Sequence, residues 1–477
     1  MQSFSKFIDD RFKMFPPKDE VSVQGEPVKP LRSGDHVVIV GGGIAGSALA
    51  RRLLMLMEKE DLDIRITIIN TISCNYCGGL ITNLALRTFN DVYKLRIPKD
   101  VVLTRIKDLA YINRAGTINI DIDYTMLGVL RTSRFNVLGF DDAFKQMITR
   151  GLSDKVEKAL TIIEPAKVID IISGEQLNKK WKICYEELNS LGESIKKEME
   201  ADFLAIAGGL KMLNQPVLKK FMQLTGYQPP PLMPASVTEI DTSNAKVNIM
   251  DDKLYIVDGI IPGAVLGLVS KGKNWLTLTS LGKKITKNEL DIIFKHPVVK
   301  EHLDLPEISG HLRCKCICKA NVYIGAAENF YGDNWAIIGD LNGLGRVLKD
   351  GYLASLLSGK LVAETLIYIG KDRHSLHDNY YKAIKRIRND NHVGIGLFKL
   401  NTILSRSSFF NRFLIRSANI EKEKHQNSGP LIVALRALMT GDLPYKWITV
   451  LFIQGILKRI LTPWKFLNKH KLRTNRN

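Results

Sequence analysis

The period of the apolar positions changes along the chain, and the changes mark out its elements. An apolar run at His36–Val40 is followed by three glycines, by apolar residues at helical spacing over about 44–59, and by a second apolar run at 64–70. Short apolar runs bounded by glycine read as buried strands, and the intervening period reads as a helix. The order predicts a β-α-β unit opened by residues 35–54. Farther on, residues 101–130 alternate apolar and polar, as in Thr117-Ile118-Asn119-Ile120-Asp121-Ile122-Asp123, which predicts antiparallel pairs. A helix is expected over 140–152, with Asp141 and Asp142 near its start, where they complement the dipole. A short strand over 201–207 ends at Gly208-Gly209. The run Gln228-Pro229-Pro230-Pro231-Leu232-Met233-Pro234 breaks the pattern, and three β-like runs follow at 253–257, 264–269 and 275–280. Strand and helix resume at 335–338 and 353–369.

This order predicts an α/β fold. A Rossmann-like domain is expected over 34–210 and 321–370, with a mainly antiparallel β domain for substrate inserted at 211–320. Residues 1–33 read as a mobile lead-in, and 371–477 as a basic helical region. At 477 residues the chain is too long for one core, and 45% hydrophobic with 25% charged residues is an ordinary globular balance.

Charge and cysteine usage narrow the setting. Six cysteines do not make a disulfide scaffold, so a cytoplasmic location is expected. Residues 1–33 hold no apolar stretch of the kind a secretory signal carries, and no run of about 18 apolar residues is found to span a membrane. The formal charge is +19, and residues 371–477 hold 21 Lys and Arg against 6 Asp and Glu. Tryptophans flank the apolar stretch 448–457, and 397–415 mixes Phe409, Phe410 and Phe413 with Arg406 and Arg412. Such segments suit helices lying in an anionic membrane surface at the inner face of the membrane. No nucleic-acid motif accompanies the charge, so no nucleic-acid partner is expected.

Two motifs carry the chemistry. The first is Gly41-Gly42-Gly43-Ile44-Ala45-Gly46, a G-x-G-x-x-G between strand and helix. Gly41 permits the tight turn, Gly43 lets backbone approach a pyrophosphate at the helix N-terminus, and Gly46 lets helix and strand pack closely. The acceptor expected about 20 residues on is usually acidic, but here the second strand ends in Asn70, whose amide oxygen can still take a ribose hydroxyl. The second motif lies about 300 residues downstream, Gly339-Asp340, with a helix expected soon after Gly351-Tyr352.

A strand ending in Gly-Asp and followed by a helix resembles the second motif of FAD oxidoreductases. Within that class, residues 35–370 resemble the geranylgeranyl reductase group, which is related to flavin hydroxylases and halogenases. Cys77-Gly78-Gly79 resembles that group's Tyr-x-Cys-Gly-Gly segment, although Tyr76 is one position late. Val265-Leu266-Gly267-Leu268-Val269-Ser270-Lys271-Gly272 is similar to its channel-lining element, with Val265, Gly267 and Val269 where the group has aromatic residues. The resemblance implies FAD as cofactor, with Asp340 accepting from the ribityl chain and the helix after Gly351 facing the flavin ring. It also implies cofactor contacts at Ile44, Ala45, Gly78, Val168, Gly351 and Tyr352, and at Arg134 as the arginine preceding the 140–152 helix. Cys77 is the candidate for a catalytic or positioning role above the flavin.

The activity so implied is hydride transfer from reduced flavin to a carbon–carbon double bond of a hydrophobic, isoprenoid-type substrate, with a ferredoxin or a nicotinamide as electron donor. The alternatives are a monooxygenase acting on an apolar or aromatic substrate, and a membrane-associated flavoprotein that only relays electrons. The hydroxylases' Asp-Gly element is matched by Ala205-Ile206-Ala207-Gly208-Gly209, which lacks the Asp. No metal is expected. Cys314, Cys316 and Cys318 would share one strand face, but the spacing is not C-x-x-C and no fourth ligand follows.

Overall fold

The computed structural model describes residues 30–71, 77–122, 127–132, 138–173, 180–188, 193–245, 249–272, 274–304, 312, 317–346, 351–425 and 428–461. The chain forms two compact units. The first comprises 1–105, 127–237 and 318–392, and the second 106–126, 238–317 and 393–477.

The first unit is built on strands β1 (His36–Val40), β2 (Arg65–Ile69), β8 (Leu160–Ile163), β12 (Phe203–Ile206), β18 (Tyr331–Gly332) and β19 (Trp335–Ile337). They form one sheet in the order β18-β19-β12-β1-β2-β8, parallel except for the β18–β19 edge. Val37, Val38 and Ile39 are buried on both faces, as parallel strands covered by helices require. Helix α1 (Ile44–Glu60) follows β1, and α2 (Asn83–Tyr93) and α3 (Phe140–Gln146) come later. The long helix α6 (Gly351–Tyr368) runs against α1. A Cβ on Gly359 would lie 2.7 Å from Leu49 N and 2.8 Å from Ala48 Cβ, so glycine is what lets these helices cross so closely. Arg52 and Glu364 tie the same pair at 2.6 Å.

Two small sheets complete this unit. Strands β9 (Ala166–Ile172), β10 (Trp181–Leu188) and β11 (Ser194–Ala201) form an antiparallel ribbon, and β3 (Leu80–Ile81), β7 (Leu127–Leu130) and β4 (Val102–Ile106) form another sheet. Helix α4 (Pro216–Thr225) has Pro at its first turn and ends at Gly226 in the left-handed conformation, the usual stop signals.

The second unit centres on β5 (Asp108–Asn113), β6 (Gly116–Asp121), β14 (Lys253–Asp258), β15 (Val265–Ser270) and β16 (Trp275–Leu281). Their pairing is antiparallel apart from β14–β5. The chain enters this unit within β13 (Leu232–Asp241), whose first half pairs with β17 (Cys318–Tyr323) in the first unit. One sheet face packs Tyr255, Val257, Leu266, Leu268, Leu276 and Leu278 into a core with α5 (Lys287–Lys295), a helix opened by the Thr286–Glu289 capping box. The rest of the unit is α7 (Lys382–Leu404, from Val393 onward), α8 (Ser408–His425), α9 (Pro430–Thr440) and α10 (Tyr445–Leu461).

The α/β class, the inserted antiparallel sheet and the helical C-terminal region are present as expected. The boundaries fall elsewhere. Residues 106–126 belong with the inserted sheet, because β5 pairs with β14 in register from Asp108–Lys253 to Ile112–Val257. Residue 371 is not a break either, since the division falls at residues 392 and 393 inside the continuous helix α7. The helix expected over 140–152 ends at Gln146 and continues as turns to Gly151.

Candidate dinucleotide site

The glycine turn has the conformation its residues predict. Gly41 adopts φ +113°, and a Cβ there would stand 2.7 Å from the Ala207 carbonyl and Gly208 Cα. Side chains rarely adopt that backbone conformation, and there is no room for one. A Cβ on Gly46 would collide with the Gly41 carbonyl oxygen, which is the close strand–helix packing expected of the third glycine. Gly43 is different. It is the extended N-cap of α1, nothing lies within 4 Å of a Cβ placed on it, no side chain caps the helix there, and the first turn holds no acidic residue. Among the described residues, no side chain therefore offsets the partial positive charge at the amide end of α1, as a bound pyrophosphate would require.

Asn70 stands directly beside this turn. Its Oδ1 accepts from Gly42 N at 2.8 Å, and its Nδ2 donates to Glu164 Oε1 at 3.0 Å. Glu164 follows β8, whose register with β2 puts Ile163 opposite Ile69 and so brings residues 70 and 164 side by side. Lys145 of α3 donates to Glu164 at 2.8 and 2.5 Å and sits 3.3 Å from Asp142. The carboxylate missing from β2 is thus present one strand over, with its own counter-ion. Sequence reasoning missed Glu164 and Lys145, because β8 is too short and too exposed to announce itself.

The downstream motif folds onto the first. Gly339 adopts φ +71°, and a Cβ there would be 2.8 Å from Ala45 Cβ in the first turn of α1. Its amide donates to Ser358 Oγ of α6 at 3.1 Å. Asp340 comes next, and a Cβ on Gly351 would be 3.7 Å from Asp340 Oδ1, so the carboxyl lies beside the start of α6. Burial, the one cause acting on it, raises this carboxyl to about 6 although its residue keeps some accessible surface. No donor from the described residues offsets that burial.

Cys77 approaches the same helix start. Its sulfur accepts from Gly79 N at 3.3 Å and lies 3.7 Å from the Tyr352 hydroxyl, whose pKa burial pushes well above its ordinary value. The structure thus gathers Gly41, Gly43, Ile44, Ala45, Gly46 and Asn70 at the head of α1. Gly339, Asp340, Gly351, Tyr352 and Cys77 meet at the head of α6, and Gly78 adjoins Cys77. Val168 is buried in the first core and paired across β9–β10 with Tyr185, two residues along β9 from Ala166, whose amide donates to the Asn70 carbonyl at 2.8 Å. Arg134, Cys74, Cys314 and Cys316 lie outside the described residues. Cys318 begins β17, half-buried. Among the described residues, no cluster of three metal-ligating side chains is found. Ala207 and Gly208 close the back of the Gly41 turn, so the Ala205–Gly209 stretch serves the first motif.

In the second unit, Val265, Gly267 and Val269 share the face of β15 turned away from its core residues Leu266 and Leu268. Gly267 pairs with Ile256 and Thr279, and Val269 with Thr277, whose buried hydroxyl has no hydrogen-bond partner among the described residues. On the same face, Asp258 accepts from Tyr111 Oη and Asn401 Nδ2, each at 2.8 Å, and burial raises its pKa.

Fold and geometry together give a Rossmann-like domain of the fold that FAD-dependent oxidoreductases share. The comparisons agree at the level of fold. A geranylgeranyl bacteriochlorophyll reductase-like protein from Thermoplasma acidophilum superposes with a TM-score of 0.59 at 15% identity, covering 80% of this chain and 91% of its own. A flavoprotein/dehydrogenase from Cytophaga hutchinsonii gives 0.58 at 12% identity, covering 89% and 99%. The p-nitrophenol 4-monooxygenase of Pseudomonas putida gives 0.53 at 14%, covering 86% and 99%. No protein-family model matches the chain, and no curated protein matches it in sequence.

Proposed function

We propose that the protein is an FAD-dependent oxidoreductase that saturates carbon–carbon double bonds of a hydrophobic, isoprenoid-type substrate. The observation that carries the cofactor is the meeting of two motifs about 300 residues apart, with Gly339 against Ala45 and Asp340 beside Gly351. The residues fit FAD from end to end. The amide end of α1 takes the diphosphate, Asn70 with Glu164 behind it takes the adenosine ribose, and Asp340 takes the ribityl hydroxyls. When bound, reduced flavin supplies a hydride, and a proton completes the addition of two hydrogens across the double bond. The apolar character of the substrate rests on the resemblance to the geranylgeranyl reductase group. The electron donor in this reading is a ferredoxin or a nicotinamide.

The p-nitrophenol monooxygenase shares the fold to a similar degree, so oxygen-dependent hydroxylation is the competing reading. One anaerobic experiment separates the two. Photoreduced holoprotein is mixed with a total lipid extract, and flavin reoxidation is followed alongside mass spectrometry. A gain of two hydrogens per double bond is expected. Flavin that stays reduced until oxygen is admitted, with product then carrying an added oxygen, would replace the reductase by the monooxygenase.

A further inference from the structure

The last helices of the second unit expose an apolar stripe. Helix α10 buries Tyr445 and Ile448, and its Gly455 lies against Leu431 of α9. Its opposite side exposes Trp447, Val450, Ile453, Leu457 and Ile460, from 39% for Trp447 to 64% for Ile460. Spacings of three and four residues keep all five on one side of the helix. Single exposed apolar residues are ordinary on a protein surface, but a continuous row of this kind is an interaction surface. The same unit exposes Leu400 and Ile403 at the end of α7 and Phe409, at 76%, at the start of α8. Gly394 of α7 touches the Tyr445 ring at the head of α10, so the two patches lie on adjoining helices.

Charge indicates what covers the stripe. Lys399, Arg406, Arg412, Arg416, Lys446 and Lys458 are all exposed around it. Residues 393–461 contain ten Lys and Arg against three acids. One of the three, Glu421, is buried and accepts from Leu431 N and Ile432 N at the start of α9 rather than pairing with a surface cation in those bonds. A second copy of this chain would bring like charge to the same place. A nucleic acid would satisfy the cations and leave the apolar row in water. An anionic bilayer satisfies both, with phosphates meeting the cations and the headgroup boundary taking the apolar side chains and Trp447. Among the described residues no helix is long and apolar enough to cross a membrane, which leaves lying on the surface as the mode of contact.

We propose that α10, together with the α7–α8 corner, docks the protein on an anionic lipid surface. The proposal does not depend on the flavin reading, because its test reads lipid binding and not turnover. The full-length protein is sedimented at low salt with phosphatidylcholine vesicles, with or without about one-third phosphatidylglycerol. At least tenfold stronger partitioning onto the anionic vesicles is expected, and added salt weakens it. Ile453→Ser with Leu457→Ser lowers partitioning about tenfold or more while the melting temperature is kept, since both positions are exposed. Arg406→Glu with Arg416→Glu removes the preference for anionic vesicles. Absence of binding, equal binding to both vesicles, or serine variants that bind as wild type would each overturn the proposal. So would a dimer in size-exclusion chromatography that the serine variants convert to monomer, because the occupant would then be a second copy.

Discussion

At the scale of single residues, the candidate site carries an amide, Asn70, beside the glycine turn where a carboxylate is usual. Asn70 can both accept from Gly42 and donate to Glu164, and aspartate can only accept. Asn70→Asp therefore sets two carboxylates about 3 Å apart, raising the pKa of the pair. We expect it to cost about 1–3 kcal/mol of stability at neutral pH. A pKa raised by folding means that the cost is present above that pKa and relieved as pH falls, so melting curves should converge with wild type toward about pH 5. Adding Glu164→Gln, which restores a donor, should recover most of the loss. Asp340 makes a separate pH prediction. Its carboxyl titrates at about 6 in the folded, flavin-free protein against 3.8 in its ordinary state, so its burial costs stability above pH 6 and nothing below the ordinary value. Asp340→Asn should thus raise the melting temperature of flavin-free protein at about pH 7.5, by a margin that closes on acidification. Ribityl hydroxyls donate best to the ionised group, so flavin affinity of wild type should climb as pH rises through 6, while the Asn variant stays flat and weaker. Flavin fluorescence titrations would decide it, and a flat wild-type profile would remove Asp340 from the site.

At the scale of elements, the α1–α6 crossing joins the two motifs, because the first opens α1 and the second lies beside the start of α6. Gly359→Ala would force a methyl to within 3 Å of Leu49 N and Ala48 Cβ. A loss of about 1–3 kcal/mol is expected, together with faster flavin release, measured by thermal melting and by dilution of the yellow holoprotein. Such elements were legible in advance where local pattern and tertiary role coincide. His36–Val40, the helix from Ile44 and the strand at Trp335 fall within a residue or two of expectation, because glycine punctuation marks their ends. Strand β8 was not legible. It is four residues long with Thr161 and Ile162 exposed, and its place is set by parallel pairing with β2, a partner about 90 residues earlier. Glu164 went unseen for that reason, since a side chain positioned by long-range register leaves no local signature.

At the scale of the whole molecule, composition suggested a separate basic helical region from 371 onward, and the packing draws the division elsewhere. The helices after residue 392 are part of the second unit. Asn401 donates to the buried Asp258, Asn113 Nδ2 reaches the Asn411 carbonyl, and a Cβ on Gly259 would lie 3.0 Å from the Ser405 carbonyl oxygen. The sequence could not reveal this, because a helix docked on its own sheet and a helix on a tether carry the same periodicity. The two arrangements differ in what truncation does. A chain ending at His392 would keep every strand of the second sheet but lose Asn401 from a carboxylate that burial already disfavours. Leaving a buried charge without its donor costs several kcal/mol, comparable to the net stability of a domain. We therefore expect the truncated chain to lose the cooperative unfolding of the second unit, to aggregate on size-exclusion chromatography, and to regain solubility in part when Asp258→Asn removes the buried charge. The sheet of the first unit, whose strands all lie before residue 340, should keep its protection from hydrogen exchange. A truncated protein that stayed monomeric with an unchanged second transition would mean that the helices are an appendage after all.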